Sequence, residues 1–176
     1  MAKIEGDLLR GIQALPAFPL ELVTAGRNIM TAAAFSFYSF KPPCVMVGIM
    51  PRNYTFELML QKLEFGINIP TERQLDAARF CGSVSGREVD KFKKTGLAPQ
   101  KGKAVESLLV KECPVNLECN VVNRIGYKGS HRWFVGRVEA VHIEQDYTRD
   151  QALMYWPKEY RRVGDVILKV ERKGKH

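Results

Sequence analysis

The sequence predicts a mainly β protein with a few helices, folded as a closed or partly closed antiparallel barrel. Two observations carry this. Apolar runs of strand length recur through the first half, at residues 20–25, 31–40, 44–49 and 64–69. From Ala104 onward the pattern turns strongly to β, with long candidates at residues 105–110, 116–125 and 132–143.

Taken in order, Leu20-Glu-Leu-Val-Thr-Ala25 alternates as a strand, and Gly26-Arg27-Asn28 is a turn signal. Residues 31–40 are rich in aromatic and small side chains; Lys41-Pro-Pro43 ends that strand, because proline cannot donate to a central ladder. Cys44-Val-Met-Val-Gly-Ile49 is a continuous apolar run, as in a strand buried on both faces. Asn53 is placed to cap a helix over residues 54–62, with Phe56, Leu58, Met59 and Leu63 apolar. Glu64-Phe-Gly-Ile-Asn-Ile69 is the next strand, stopped by Pro70. A helix over residues 72–80 follows, closed by Gly82 in the C-cap position.

Residues 83–100 are polar and glycine-containing, a loop with at most a short helix near Val89-Asp-Lys-Phe92; long structured loops are usually functional. The glycine-containing turn Gly126-Tyr-Lys-Gly-Ser130 joins the last two long strands, where Trp133 and Phe134 alternate, one toward the core and one toward an interface. A helix is predicted over residues 149–155, and residues 166–170 are a candidate last strand.

At 176 residues with 45% hydrophobic and 26% charged positions, residues 1–176 are read as one domain with a real core, not a disordered chain. There is no internal repeat, low-complexity segment or linker. No apolar stretch is long enough to span a bilayer, and the N-terminus lacks a signal-peptide pattern; a soluble, cytoplasmic protein is expected. The formal charge of +8 attracts anions, but part of it comes from a basic tail at Lys169, Arg172, Lys173 and Lys175. Of the four cysteines, Cys44 and Cys119 lie in strand-like runs as core thiols, and Cys81 is expected to be the most exposed. With Cys113 they form no metal-ligand spacing, so no metal is expected.

The functional signal lies between Asn28 and Thr55. Thr31, Ala32, Ala33, Ala34 and Ser36 let a flat ligand lie close to a strand backbone. Arg52 and Thr55 stand at a helix start, where free N–H groups and the positive dipole end attract a phosphate. Together these point to a nucleotide or flavin. Taken singly, each residue also fits a structural role: Asn28 a turn position with positive φ, Thr31 a strand residue, Arg52, Lys91 and His131 surface groups, Thr55 a first-turn residue.

Assembled in order, the motifs are N-x-x-T-A-A (28–33), the Pro42-Pro43 corner, V-G-I-x-P-R-x-Y-T (47–55) and E-F-G-I-N-I-P (64–70). C-G-x-x-S-G-R-x-V-D-K-F (81–92) and H-x-W-F-V-G-x-V (131–138) complete the series. In this series the chain resembles the flavin reductase-like, FMN-binding split-barrel family, nearest its flavoredoxin branch. The resemblance implies a homodimer of split barrels with FMN near the dimer interface. It implies that Asn28 and Thr31 meet the isoalloxazine or ribityl part, with the backbone of Ala32, Ala33 and Ser36 alongside. Arg52 and Thr55 fall on the phosphate side, and Lys91 and His131 make polar flavin contacts. Ser85 and Arg87 are secondary candidates for the phosphate or the substrate entrance. The chain departs from the pattern at Ala34, where flavoredoxin-like chains often carry Trp, leaving Phe35 or Phe37 to cover the ring.

Chemistry fits these assignments. Arg52 can give a phosphate a bidentate contact and Thr55 a hydroxyl. A cation or donor near the flavin N1 and C2 carbonyl, such as Lys91 or His131, raises its potential. Hydride chemistry belongs to the flavin N5, so no catalytic side chain is expected. The implied activity is an FMN-dependent oxidoreductase moving electrons from NADH or NADPH, or from a reduced partner protein, to flavin, ferric or protein acceptors. The alternative is an FMN electron carrier inactive with nicotinamides. A basic nucleic-acid-binding barrel ranks lower, because the aromatics cluster in apolar runs, and no nucleic acid is expected. Pyridoxamine-phosphate oxidation is a lesser alternative without a dedicated motif.

Overall fold

The computed structural model describes residues 5–169. After a short helix α1 (Leu8–Gln13) come the strands β1 (Phe18–Pro19), β2 (Glu21–Ala25), β3 (Asn28–Ala32), β4 (Phe35–Phe40) and β5 (Pro43–Ile49). Helix α2 (Tyr54–Lys62) leads into β6 (Glu64–Ile69), followed by α3 (Leu75–Ser83) and α4 (Lys91–Thr95). The remainder is β7 (Pro99–Gln100), β8 (Leu109–Val110), β9 (Val115–Gly126), β10 (Arg132–Ile143), β11 (Leu153–Tyr155) and β12 (Tyr160–Arg162).

Seven strands form one antiparallel sheet in the order β3-β2-β6-β9-β10-β5-β4. Its two edge strands, β3 and β4, are joined only by Ala33 and Ala34. A sheet whose edges are two residues apart must roll until they meet. The Gly48 N–H on β5 donates to the Ala34 carbonyl at 2.7 Å, carrying the β4–β5 pairing one residue into the crossing. The result is a split barrel. Two register shifts between β9 and β10 add the bend that rolling needs.

Period-two alternation gives β2 two buried faces. Val23 and Ala25 point into the barrel with Val47, Ile49, Met59, Phe65, Ile67 and Phe134. Leu20 and Leu22 face the other way, packing with Ile29, Ala78, Cys81 and Phe92 beneath α3 and α4. Gly136 is required inside the barrel, since a Cβ there would lie 2.3 Å from the Phe65 ring. Glu21, on the Val23 face, is fully buried, and neither of its carboxylate oxygens has a hydrogen-bond partner among the described residues. Burial pushes its carboxyl well above the usual range.

Several sequence expectations need correction. Residues 31–40 form not one strand but the end of β3 and all of β4, broken where the chain crosses from one sheet edge to the other. Residues 105–110 contribute only β8 as strand. The preceding backbone instead gives its N–H groups to carboxylates: Glu118 accepts from Lys103, Ala104 and Val105 at 2.9, 2.6 and 3.0 Å, and Glu64 from Glu106 and Ser107. The helix predicted over residues 149–155 is a single 3₁₀ turn, Arg149–Gln151, after which β11 pairs with β1 and β12. Long-range pairing overrides the local pattern there. Gly82 does not close α3, which runs on to Ser83. Asn53 makes no side-chain cap; its amide turns to the Met30 sulfur at 3.4 Å. Residues 166–169 are not a strand, and Val170 lies outside the described residues.

Cys81 is the clearest reversal. It is 1% exposed, because Ala78 and Cys81 are one turn apart on the face of α3 that covers β3. Burial pushes its thiol up to about 11, against the pull of Lys91. All four cysteines are free and buried. Trp133 is half-buried while Phe134 lies in the barrel core. Among the described residues no helix is long and apolar enough to cross a membrane, and no cluster of three or more His, Cys, Asp or Glu could hold a metal ion.

Candidate functional site

A cavity of about 490 Å³ opens where β3, the start of α2, the end of α3 and the loop after it converge. It brings together Asn28, Thr31, Ala32, Ala33, Arg52, Thr55, Ser85, Lys91 and His131, drawn from positions more than a hundred residues apart. Ser36 is not in its lining; it belongs to β4, beyond the Ala33–Ala34 crossing. Arg87 is also outside. Its guanidinium bonds Glu57 at 2.7 Å, stacks over the Tyr54 ring and lines a neighbouring recess. It ties the loop to α2 rather than reaching the cavity.

At the inner end, the Asn28 amide nitrogen donates to the Thr55 hydroxyl at 2.8 Å. Thr55 therefore has its oxygen occupied as an acceptor and its own proton free to donate. Asn28 is an extended β3 residue, not a positive-φ turn residue. Its carbonyl Oδ1 is buried with no partner among the described residues. The loop backbone closes over it at Gly86, where an added Cβ would sit 1.9 Å from that oxygen.

The first turn of α2 has no side-chain cap; the Phe56 N–H bonds the Asn53 carbonyl at 3.0 Å, and the Tyr54 and Thr55 N–H groups, without a partner among the described residues, lie at the cavity end with the positive end of the helix dipole. Arg52 stands just before this turn and is exposed, and its guanidinium makes no ion pair among the described residues. His131 faces it across the opening. Burial, and then the Arg52 charge, hold the imidazole below its usual pKa, so it is neutral at pH 7. Its Nδ1 lies 2.8 Å from the Ser130 hydroxyl.

Along the opposite wall Thr31 spends its hydroxyl proton on the Ala78 carbonyl at 2.5 Å, which fastens β3 to α3. Lys91 is 4% exposed, and its ammonium donates to the Cys81 carbonyl in the last turn of α3 at 2.8 Å. Burial lowers its pKa. No carboxylate neutralises this ammonium among the described residues. The arrangement thus has an anion-binding end at α2, a wall of small residues along β3, and a buried cation on the far side.

Gly48, Tyr54, Cys81, Gly82 and Gly86 also line the cavity; they stand in the motifs without being singled out as site residues, and Met50 and Val84 fall at the motifs' unspecified positions. The i, i+3 pair Ala78 and Cys81 was the available signal for Cys81, and Gly86 sat within the Ser85-Gly-Arg87 motif.

Comparison with known proteins places this geometry. The flavoredoxin of Desulfovibrio vulgaris (Miyazaki F) superposes with a TM-score of 0.83 at 28% identity, covering 98% of this chain and 100% of that one. An FMN-binding protein from Thermus thermophilus, solved with bound 1-cyclohex-2-enone, gives 0.81 at 25% identity, covering 97% and 99%. An uncharacterized protein of Archaeoglobus fulgidus is 35% identical over 116 residues, 66% of this chain; the chain spans 64% of that relative's length. The model of the flavin reductase like domain matches residues 17–164. With the family model matched over residues 17–164 and the fold superposed over nearly the whole length, the chain belongs to the flavin reductase like domain family.

Proposed function

We propose that the cavity binds FMN and that the protein is an FMN-dependent oxidoreductase taking electrons from NADH or NADPH, working as a homodimer. The observation that carries this reading is the convergence on one cavity of the uncapped start of α2 beside Arg52, unpaired among the described residues, a wall of alanines along β3, and the buried Lys91 ammonium. FMN combines a phosphate, a planar ring and a ring edge that becomes negative on reduction, and these three parts of the cavity match them in that order. The rest of the lining fits the same group. The volume falls within the usual range for cofactor sites. Arg52, the Thr55 proton and the free N–H groups of α2 would hold the phosphate. Ala32, Ala33 and Ala34 admit a planar ring against the β3 backbone, and Lys91 would face its negative edge.

FMN, when bound, supplies hydride acceptance and release at N5. The residues of this chain would bind and orient it, keep water from one face, and hold positive charge beside it through Lys91. Neutral His131 can donate or accept one hydrogen bond at the opening without adding a second charge beside Arg52. The test is an absorbance spectrum of FMN-loaded, desalted protein followed by NADH and NADPH oxidation. Retained flavin bands and turnover are expected. A protein that ignores FMN overturns the site; flavin retention without turnover with either nicotinamide leaves the electron-carrier reading instead.

A further inference from the structure

A second, smaller cavity of about 270 Å³ adjoins the first. The two share Thr31, Ala32, Ala33, Gly82 and Ser83 in their linings. On its own side the smaller one is closed by Leu20 and by three side chains of chemical interest, Arg79, Tyr155 and Tyr160. The tyrosine rings lie 4.9 Å apart at 56° on β11 and β12, forming an aromatic wall. Neither hydroxyl makes a hydrogen bond among the described residues, although both residues are half-buried. Arg79, on the outer face of α3, has among the described residues only the almost fully exposed Asp76 as ion partner, at 3.7 Å. Such a pair is worth little in water, so the guanidinium is available.

An aromatic wall, two unused phenol hydroxyls and an available guanidinium select a flat ring carrying an anionic group. Stacking would recognise the ring, and a charge-assisted contact the anion. The volume suits one substituted ring, being below the usual range for cofactor-sized ligands. We infer that this cavity is a subsite for a small aromatic carboxylate, which it would present beside the main cavity. Its role as a substrate subsite rests on FMN occupying that main cavity.

The probe is 4-hydroxybenzoate, compared with uncharged 4-hydroxybenzyl alcohol, titrated by calorimetry into FMN-loaded protein with the flavin absorbance followed in parallel. Expected are saturable binding of the acid, at least about tenfold weaker binding of the alcohol, and a shift of the flavin bands on addition of the acid. Arg79→Gln, at an exposed helix position, should weaken the acid about tenfold and leave the alcohol unchanged, as loss of one charge-assisted contact predicts. Tyr160→Phe keeps the ring and should weaken the acid about threefold. FMN titration of the same variants separates the two readings. Acid binding that depends on Arg79 in a protein that cannot hold FMN would sink the FMN reading and keep the anion site. Normal FMN binding with no acid binding, with binding indifferent to Arg79→Gln, or with an unmoved flavin spectrum, overturns the subsite.

Discussion

The Asn28 amide and the Thr55 hydroxyl, 27 residues apart in sequence, are joined by a buried 2.8 Å hydrogen bond that fixes the start of β3 to the first turn of α2. The bond settles the roles of both groups, turning the Asn28 carbonyl inward and freeing the Thr55 proton. Thr55→Val removes the acceptor and leaves a buried amide N–H unpaired. It should cost about 1–3 kcal/mol in chemical denaturation and weaken FMN at least about tenfold by fluorescence titration. Unchanged FMN affinity would show that the pair serves the fold alone.

Gly86→Ala tests the closure over Asn28 Oδ1. The new methyl would fall 1.9 Å from that oxygen, so the loop or the amide must move. Far-UV circular dichroism should be unchanged while FMN affinity falls at least about tenfold. Arg52→Gln should give a loss of similar size, confined to ligands that carry a phosphate: riboflavin binding should not change.

Lys91 places an ammonium, 4% exposed, beside the cavity with only the Cys81 carbonyl to hold it. Lys91→Met should make the midpoint potential of bound flavin more negative, on the order of 30 mV for each 1.4 kcal/mol of lost interaction. Lys91→Arg should restore most of it. Equal potentials in Lys91→Met and the parent would remove Lys91 from the flavin's surroundings.

How far the sequence reached is visible at these residues. The central strands β2, β5, β6, β9 and β10 were legible because alternation or continuous apolarity is written locally. The 3₁₀ turn at Arg149–Gln151 was not, since pairing with β1, more than a hundred residues earlier, decides that segment. Asn28, Thr55 and Lys91 each had an ordinary structural reading, and only their order along the chain raised them to candidates. Arg87 was read toward the ligand because nothing local reveals that Glu57 claims its guanidinium. Cys81 was misplaced because the turn that buries it is set by what α3 rests on.

Glu21 predicts an alkaline weakness. Its folded pKa is raised above the ordinary 4.5, so its contribution to stability is complete below that value and is lost as pH rises through the raised one. Glu21→Gln has nearly the same shape and does not titrate. Denaturation midpoints of the two proteins should be nearest at acid pH and diverge as pH rises, with the variant the more stable. A constant difference from pH 4 to 9 would show that burial does not raise the folded pKa of this carboxyl.

Glu118 predicts the opposite limb. Burial resists its ionisation, but His142 at 2.7 Å and three backbone N–H donors outweigh it and hold the carboxyl at about 2. A lowered folded pKa contributes stability present above 4.5 and lost as pH falls toward 2. The span corresponds to on the order of 3 kcal/mol. Glu118→Gln should lose about that much at pH 7, with the deficit shrinking in acid. Hydrogen exchange at Lys103, Ala104 and Val105 should rise in the variant at neutral pH; unchanged protection would detach the carboxylate from that segment.

Much of the cavity wall is Ala32, Ala33, Ala34, Gly48, Gly82 and Gly86, residues with little or no side chain to remove. Beyond one methyl at each alanine, mutation at these places can only add atoms. Along this wall the space therefore stands near its upper limit, and descendants of this sequence can become choosier by filling it but gain little breadth by trimming. An engineer seeking bulkier acceptors must look to Met50, Tyr54 or His131, the larger side chains around the opening.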